Sequence, residues 1–208
     1  MSKKLHIYFP IILSGGNSQM TKDFLADVIG YDNVKEELYK ITSWYKDYQK
    51  YENMNLKLPQ GILFYGDPGN GKSFISKQLT QYFAASYYFK IQGLSDINKD
   101  ISDLFQKARH GIKPCLIIFE EIDLLIRDNF TLLRTLQDEI DGHESNSGIL
   151  ILATCNNTQF LSDAILRDGR FNYMININYP TIEEYKKLFS YFFAYANFSK
   201  NEIDILAN

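Results

Sequence analysis

Apolar residues follow two alternating patterns along the chain, namely short continuous runs and repeats with helical spacing. Continuous runs typical of buried strands occur at Gly61–Tyr65, Cys115–Phe119 and Ile149–Thr154, with further segments at Tyr87–Gln92 and Tyr173–Ile177. Most of these runs are separated by stretches whose apolar residues recur every three or four positions. Because strands and helices alternate, the pattern predicts an α/β fold with a central five-stranded parallel sheet.

Helical spacing predicts five helices between or after these strands. They cover residues 33–50, 75–83, 97–108, 132–140 and the stretch that begins near residue 181. Thr181 and Glu184 have the spacing of a capping box, in which the two side chains satisfy free N–H groups at a helix start. We therefore expect the last helix to begin at this pair.

The composition is that of a globular protein and excludes several classes. The 208 residues are 45% hydrophobic and 23% charged, which is enough apolar material for a core and argues against disorder. The net charge of −3 lacks the strong positive field of a dedicated nucleic-acid binder. The chain has two cysteines and three scattered histidines, so neither a disulfide framework nor a zinc-ligand spacing is present in the sequence.

The N-terminal segment contains an apolar run that resembles a targeting signal only faintly. Lys3 and Lys4 precede an apolar stretch from Leu5 to Leu13, which is interrupted by His6 and Pro10. The stretch is shorter than the ~20 residues that span a bilayer. We expect residues 1–23 to form a disordered tail, with a partner-binding tail or an adaptor anchor as the alternatives. We also expect a cytoplasmic protein with no membrane segment.

A phosphate-binding motif follows the first predicted strand. Residues Gly66, Asp67, Pro68, Gly69, Asn70, Gly71, Lys72 and Ser73 satisfy G-x-x-x-x-G-K-[ST] between a strand and a helix. Glycines let backbone N–H groups close around phosphate oxygens, and the following helix adds its positive N-terminus. Lys72 is predicted to reach the β- and γ-phosphates and the Ser73 hydroxyl to bind Mg²⁺. The motif predicts binding of a nucleoside triphosphate.

An acidic turn follows the third predicted strand. Glu120, Glu121 and Asp123 come directly after the apolar run Cys115–Phe119. In a parallel sheet this turn lies at the same edge as the phosphate loop, where Mg²⁺ and an attacking water would be placed. Glu121 is the candidate general base or water-positioning residue.

Five ordered motifs together resemble the AAA ATPases of the AAA+ superfamily. Gly66–Ser73 is similar to the Walker A motif, Cys115–Asp123 to Walker B, Ala153–Asn156 to the sensor-1 strand, Leu161–Phe171 to the second region of homology and Asp27–Tyr31 to the segment that brackets adenine. The resemblance implies a three-layer P-loop NTPase domain over residues 24–180. Residues 181–208 would be the beginning of a helical lid, and the lid would be incomplete.

The resemblance also implies roles for particular residues. It implies ATP and Mg²⁺ as cofactors, an ATPase activity and a homo-oligomeric ring, as a hexamer, that remodels an unidentified protein partner. The implied catalytic residues are Glu121, Lys72, Asn156, Arg167 and Arg170, with the two arginines reaching into the adjacent subunit. Nucleotide would be bound by Asp27, Ile29, Phe74 and the loop from Gly66 to Ser73, and Mg²⁺ by Ser73 and Glu120.

Three departures from the family pattern shape the expectations. Glu120 stands where the family usually has aspartate, and the longer carboxylate can hold Mg²⁺ through water with slower hydrolysis. The segments from Gly93 to Phe105 and from Arg127 to Phe130 are short and lack an aromatic–apolar–glycine pore loop. The lid stops at Asn208 without a sensor-2 arginine. The alternatives are therefore a low-turnover ATP-dependent switch or scaffold and, less favoured by the charge, a DNA-directed AAA+ ATPase.

Overall fold

A computed structural model of the chain describes residues 23–89, 96–127, 130–141, 144–161, 165, 170–171 and 173–192. Its strands are β1 (Gly61–Tyr65), β2 (Ala85–Phe89), β3 (Cys115–Phe119), β4 (Ile149–Cys155) and β5 (Tyr173–Asn176). Its helices are α1 (Asp32–Lys46), α2 (Tyr48–Asn53), α3 (Lys72–Leu79), α4 (Ile97–His110), α5 (Ile122–Arg127), α6 (Phe130–Asp141) and α7 (Ile182–Phe192). Residues 1–22 of the N-terminal tail, residues 93–95 of the segment predicted to lack a pore loop and residues 193–208 of the expected lid lie outside the described residues.

The five strands form one parallel sheet in the order β2-β3-β4-β1-β5, which confirms the predicted fold class. Strand β4 lies between β3 and β1, with Phe119 opposite Ala153 and Tyr65 opposite Cys155. The register aligns the carboxyl ends of the three central strands. The phosphate-loop motif and the acidic turn therefore leave the sheet on either side of the end of β4.

Helices cover both faces of the sheet and produce three layers. One core joins α4 and α6 to strand residues that include Leu63, Ile117 and Ile151, all fully buried. The other core joins α1 and α3 to the alternate strand residues, such as Phe64 and Ile118. Central strands buried on both faces explain the continuous apolar runs of the sequence.

Three predicted boundaries were wrong. The helix predicted for 33–50 divides at Asp47 into α1 and α2, and Asp47 has the non-helical backbone angles φ −112° and ψ 29°. The helix predicted through Phe83 ends at Leu79, because Gln81 and Tyr82 form tight turns through hydrogen bonds to Gln78 and Leu79. Strand β2 begins at Ala85 rather than at Tyr87. Phe83 is nevertheless buried, so its apolar position reflects burial in a turn rather than helical periodicity.

The end of α6 is held in place by a partly buried ion pair with α4. The Arg109 guanidinium contacts Glu139 at 2.7 Å and donates to the Asn146 side chain at 3.0 Å. Asn146 in turn donates to the carbonyls of Glu139 and Ile140 at 2.9 Å and 3.1 Å. These bonds fix the position of Asp141, the last residue of α6.

The two cysteines are free and buried, as predicted. Cys115 opens β3 opposite Ile149, whereas Cys155 closes β4, so the two thiols lie at opposite edges of the sheet. Within the described ranges, no helix is both long enough and apolar enough to cross a bilayer.

Candidate active site

The loop between β1 and α3 is built for close approach by a ligand. Gly66 has a φ of 141°, and Gly69 and Gly71 each have a φ of 88°, in the region that L side chains rarely adopt. A Cβ at Gly66 would collide with the carbonyl of Ile177, whereas a Cβ at Gly69 or Gly71 would meet no atom within 4 Å. The glycines therefore hold an open backbone cradle, which fits the phosphates of a nucleotide.

The Lys72 side chain lies inside this cradle. It is 7% exposed, and its ammonium group donates to the carbonyls of Gly66 at 2.7 Å and Asp67 at 2.8 Å. Burial lowers the pKa of Lys72, and the nearby carboxylates of Asp123, Asp67 and Glu121 oppose this shift. Because the Lys72 ammonium is bonded only to neutral carbonyls in these contacts, its charge can pair with a phosphate anion. Ser73, the next residue, is exposed in the first turn of α3.

The acidic turn after β3 adopts an unusual backbone conformation. Glu121 has a φ of 53°, in the left-handed region, and its N–H donates to the Thr154 hydroxyl at 2.9 Å. The Glu121 residue is exposed, and Glu120 is half-buried beside it. Two carboxylates therefore lie at the carboxyl end of β3, the edge of the sheet that also carries the phosphate loop.

Asp123 ties the acidic turn to the end of β4. One of its carboxylate oxygens accepts from the N–H groups of Asn156 at 3.2 Å and Asn157 at 3.0 Å. The residue is 2% exposed, and its other carboxylate oxygen has no protein hydrogen-bond partner. Asn156 is therefore held at the same edge of the sheet as Glu121 and Lys72.

A pocket of about 400 Å³ lies beside the phosphate loop. Its walls come from the segment before α1, from the phosphate loop and α3, and from the chain around α7, namely Asp27, Val28, Ile29, Tyr31, Pro68, Gly69, Asn70, Gly71, Phe74, Ile75, Tyr179, Pro180, Tyr185 and Leu188. The lining is mostly apolar and aromatic, which suits a nucleotide base.

Tyr31 joins the three walls of this pocket. Its hydroxyl donates to the carbonyls of Asn70 at 2.9 Å and Asn178 at 3.1 Å. Its N–H donates to the Glu184 carboxylate at 2.7 Å, and Glu184 also accepts from the N–H and hydroxyl of Thr181. The Asn70 amide donates to the Ile177 carbonyl at 3.0 Å. The phosphate loop is thereby bonded to the segment that begins α7.

Arg170 lies at the other end of the sheet. Its carbonyl lies against Gly61, the first residue of β1, and its guanidinium pairs with the Asp141 carboxylate at the end of α6. The phosphate loop begins after Tyr65, the last residue of β1. Arg167, the other predicted arginine, lies outside the described residues.

Comparison with known protein families decides the classification. The family model described as the ATPase family associated with various cellular activities (AAA) matches residues 62–179, which is more than half of the chain. The chain belongs to the AAA family of ATPases.

The curated relatives of this AAA ATPase include ATP-dependent zinc metalloproteases. It is similar to FtsH of Ureaplasma parvum serovar 3, with 33% identity over 190 residues, covering 83% of this chain and 26% of the relative. It is also similar to FtsH 2 of Methylacidiphilum infernorum, with 31% identity over 189 residues, covering 82% of this chain and 29% of the relative. The chain thus spans about a quarter of the length of these relatives. Within its described part, no cluster of three His, Cys, Asp or Glu side chains could hold a metal ion.

The structure of the AAA ATPase brings most of the sequence-predicted site residues together. The phosphate loop, Glu120, Glu121 and Asn156 share the carboxyl edge of the sheet, and Asp27, Ile29 and Phe74 line the adjoining pocket. Arg170 is remote from them. The sequence analysis places Tyr31 in the segment that brackets adenine, Asp123 in the acidic turn and Glu184 in a capping box. It assigns no individual role at the site to these residues or to Thr154. The Thr181–Glu184 capping box was visible in the sequence, but the additional bond from Glu184 to Tyr31 spans 153 residues and left no local signal.

Proposed function

We propose that this AAA ATPase binds ATP with Mg²⁺ and hydrolyses it at sites shared between neighbouring subunits of a ring, a hexamer, that remodels a protein partner. The observation that supports the shared sites is the position of Arg170, at the end of β1 opposite to the phosphate loop. Five residues of a strand extend over roughly 13 Å, and the Arg170 side chain is directed to Asp141. Arg170 is therefore too far from the nucleotide site of its own subunit and would act at the site of a neighbouring subunit.

Within one subunit, the phosphate loop and the acidic turn would bind and activate the nucleotide. The backbone N–H groups of the glycine-rich loop and the Lys72 ammonium would hold the phosphates. Ser73 and Glu120 would hold the Mg²⁺, which when bound neutralises charge on the phosphates. Glu121 would accept the proton of the attacking water or orient it, and Asn156 would donate to the transferring phosphate.

The base would occupy the pocket between Ile29 and Leu188. Hydrogen bonds from Tyr31 and Asn70 to backbone carbonyls join the walls of this pocket. The walls are therefore fixed before nucleotide binds. A preformed pocket loses little conformational entropy on binding. We assign residues 24–180 to the ATPase domain and take α7 as the first helix of a lid that covers residues 181–208.

Two observations support a protein rather than a nucleic acid as the partner. The names of the relatives describe ATP-dependent proteases, enzymes that act on proteins. The net charge of −3 does not supply the counterion release that drives nucleic-acid binding. Binding of DNA to the protein that weakens as the salt concentration rises would contradict this choice.

The variant Glu121→Gln tests the proposed chemistry. It removes the base but preserves the size of the side chain, so we expect normal ATP affinity, loss of phosphate release and accumulation of an ATP-bound oligomer. Glu36→Gln, at an exposed position of α1, is the matched control and should behave as wild type. Equal phosphate release by Glu121→Gln and wild type would overturn the role of Glu121. Loss of phosphate release without any oligomer in ATP would contradict the ring.

A further inference from the structure

Thr154 is a buried polar residue on the central strand that the roles proposed so far leave without a function. It is the residue before the last of β4 and is 1% exposed. A hydroxyl buried in a sheet core is costly unless it is hydrogen-bonded. Its partner here is the N–H of Glu121, on the turn that leaves the neighbouring strand β3, at 2.9 Å.

The bond reaches a backbone position that needs external support. Glu121 has a φ of 53°, a left-handed conformation that residues other than glycine adopt uncommonly and that is often found at functional sites. Its carbonyl already accepts from the N–H groups of Leu124 at 3.0 Å and Leu125 at 3.3 Å in the first turn of α5. The remaining backbone group of Glu121 is its N–H, which donates to the Thr154 hydroxyl.

A second tie runs between the same two segments in the opposite direction. Asp123, two residues after Glu121, accepts from the N–H groups of Asn156 and Asn157, which follow β4. The Thr154 side chain of β4 thus holds the acidic turn, and the Asp123 side chain of the acidic turn holds the segment that follows β4. Together they fix where the Glu121 Cα–Cβ bond points relative to the sheet edge that carries Asn156.

We propose that Thr154 is a positioning residue for Glu121, whose left-handed backbone it holds so that the carboxylate starts from one fixed direction at the nucleotide site. The inference rests on the proposed role of Glu121 in hydrolysis. Thr154 touches no reacting atom and acts through the turn. Catalytic geometry tolerates little displacement, so a loosened turn lowers the rate of the chemical step more than it lowers nucleotide binding.

The test compares Thr154→Val, Thr154→Ser and Thr42→Val. Valine keeps the volume of threonine but leaves the Glu121 N–H without its acceptor, whereas serine keeps the hydroxyl. Thr42 is a matched control, because it is 2% exposed and its hydroxyl bonds to the Leu38 carbonyl within α1, away from the site. We expect Thr154→Val to lower kcat about tenfold with KM and ATP affinity within about twofold of wild type. Thr154→Ser should restore most of kcat, and Thr42→Val should leave it unchanged.

The same substitution in a Glu121→Gln background separates positioning from a general effect on folding. If Thr154 acts through Glu121, Thr154→Val causes no further loss in that background when slow turnover is followed over long times. A further tenfold loss there, or a wild-type kcat for Thr154→Val alone, would overturn the proposal. If Glu121→Gln itself retains full turnover, the proposed role of Glu121 fails and that of Thr154 with it. An inactive Glu121→Gln with a fully active Thr154→Val overturns the Thr154 proposal alone.

Discussion

Arg170 and Lys72 lie at opposite ends of the same strand, β1. Lys72 follows the carboxyl end of the strand and binds the carbonyls of its own loop, whereas Arg170 lies against Gly61 at the amino end and pairs with Asp141. One subunit therefore presents a phosphate cradle at one edge of the sheet and an arginine at the other. In the ring proposed above, two copies arranged head to tail would bring these groups together.

The Lys72 ammonium is expected to contribute a large part of nucleotide affinity. Lys72→Ala removes a nearly buried cation from the phosphate cradle, and a charge-assisted hydrogen bond contributes about 1.5–3 kcal/mol, so affinity should fall by at least about tenfold. Titration with a fluorescent ATP analogue measures this loss. Lys77→Ala, at an exposed position of the same helix, controls for charge and should bind normally. An unchanged affinity of Lys72→Ala for the ATP analogue would show that the phosphate loop does not bind the nucleotide.

The Tyr31 hydroxyl is expected to stabilise the nucleotide pocket. Tyr31→Phe keeps the ring but removes the bonds to the carbonyls of Asn70 and Asn178, so ATP affinity should fall about fivefold. Isothermal titration calorimetry measures the change. Tyr39→Phe is the matched control, because its hydroxyl bonds to Asp23 rather than to the phosphate loop. An equal effect of the two substitutions would show that Tyr31 does not act on the pocket.

Glu184 is expected to make stability depend on pH in the acid range. Burial alone would raise the pKa of Glu184, but hydrogen bonds from Thr181 and Tyr31 outweigh it and lower the pKa below its ordinary value. The carboxylate therefore stabilises the fold fully above the unfolded-state pKa of about 4.3, and this stabilisation is lost as pH falls through the folded-state pKa.

Urea unfolding of Glu184→Gln and wild type should therefore differ most near neutral pH. The difference in unfolding free energy should shrink as pH falls below about 4, where protonation of the wild-type carboxylate removes its advantage. Glu183→Gln, at an exposed neighbouring position, should show a much smaller difference. A difference between Glu184→Gln and wild type that grows towards acid pH would refute the assignment.

Both cysteine thiols are expected to be unreactive in the folded protein. Burial raises the pKa of Cys115 and of Cys155 to about 12, so neither is a thiolate at neutral pH. A maleimide reagent should label neither thiol in buffer and both in concentrated urea, as counted by mass spectrometry. Rapid labelling of Cys155 without denaturant would indicate that the end of β4 opens readily beside Lys72.

The sequence was sufficient to predict the sheet and the phosphate loop. Strands such as Cys115–Phe119 are apolar throughout because the sheet is covered on both faces, and the motif around Lys72 is contiguous. Prediction from the sequence failed where tertiary contacts, rather than the local pattern of apolar residues, decide the structure. Phe83 has the spacing of a helical core residue but is buried in a turn beyond Leu79.

Side chains that act across long sequence separations could not be predicted. Thr154 reads as one more residue of a buried strand until the register places it beside the N–H of Glu121, 33 residues earlier. The family resemblance places Tyr31 in the segment that brackets adenine, but the bond from its hydroxyl to the Asn70 carbonyl is visible only in the structure. Arg170 was assigned to a neighbouring subunit through family resemblance, and only the sheet topology supplies a physical reason to place it away from its own phosphate loop.

The most direct test of the shared site mixes wild-type and Arg170→Ala subunits at a fixed total concentration that saturates assembly. Arg134→Ala, at an exposed position of α6, serves as the control, and ATP turnover is measured against the fraction of variant. If each arginine completes its neighbour's site in a coupled ring, turnover falls more steeply than the wild-type fraction, while Arg170→Ala alone binds ATP normally and hydrolyses little. A turnover that declines in simple proportion, or an Arg170→Ala variant as active as wild type, would contradict the account.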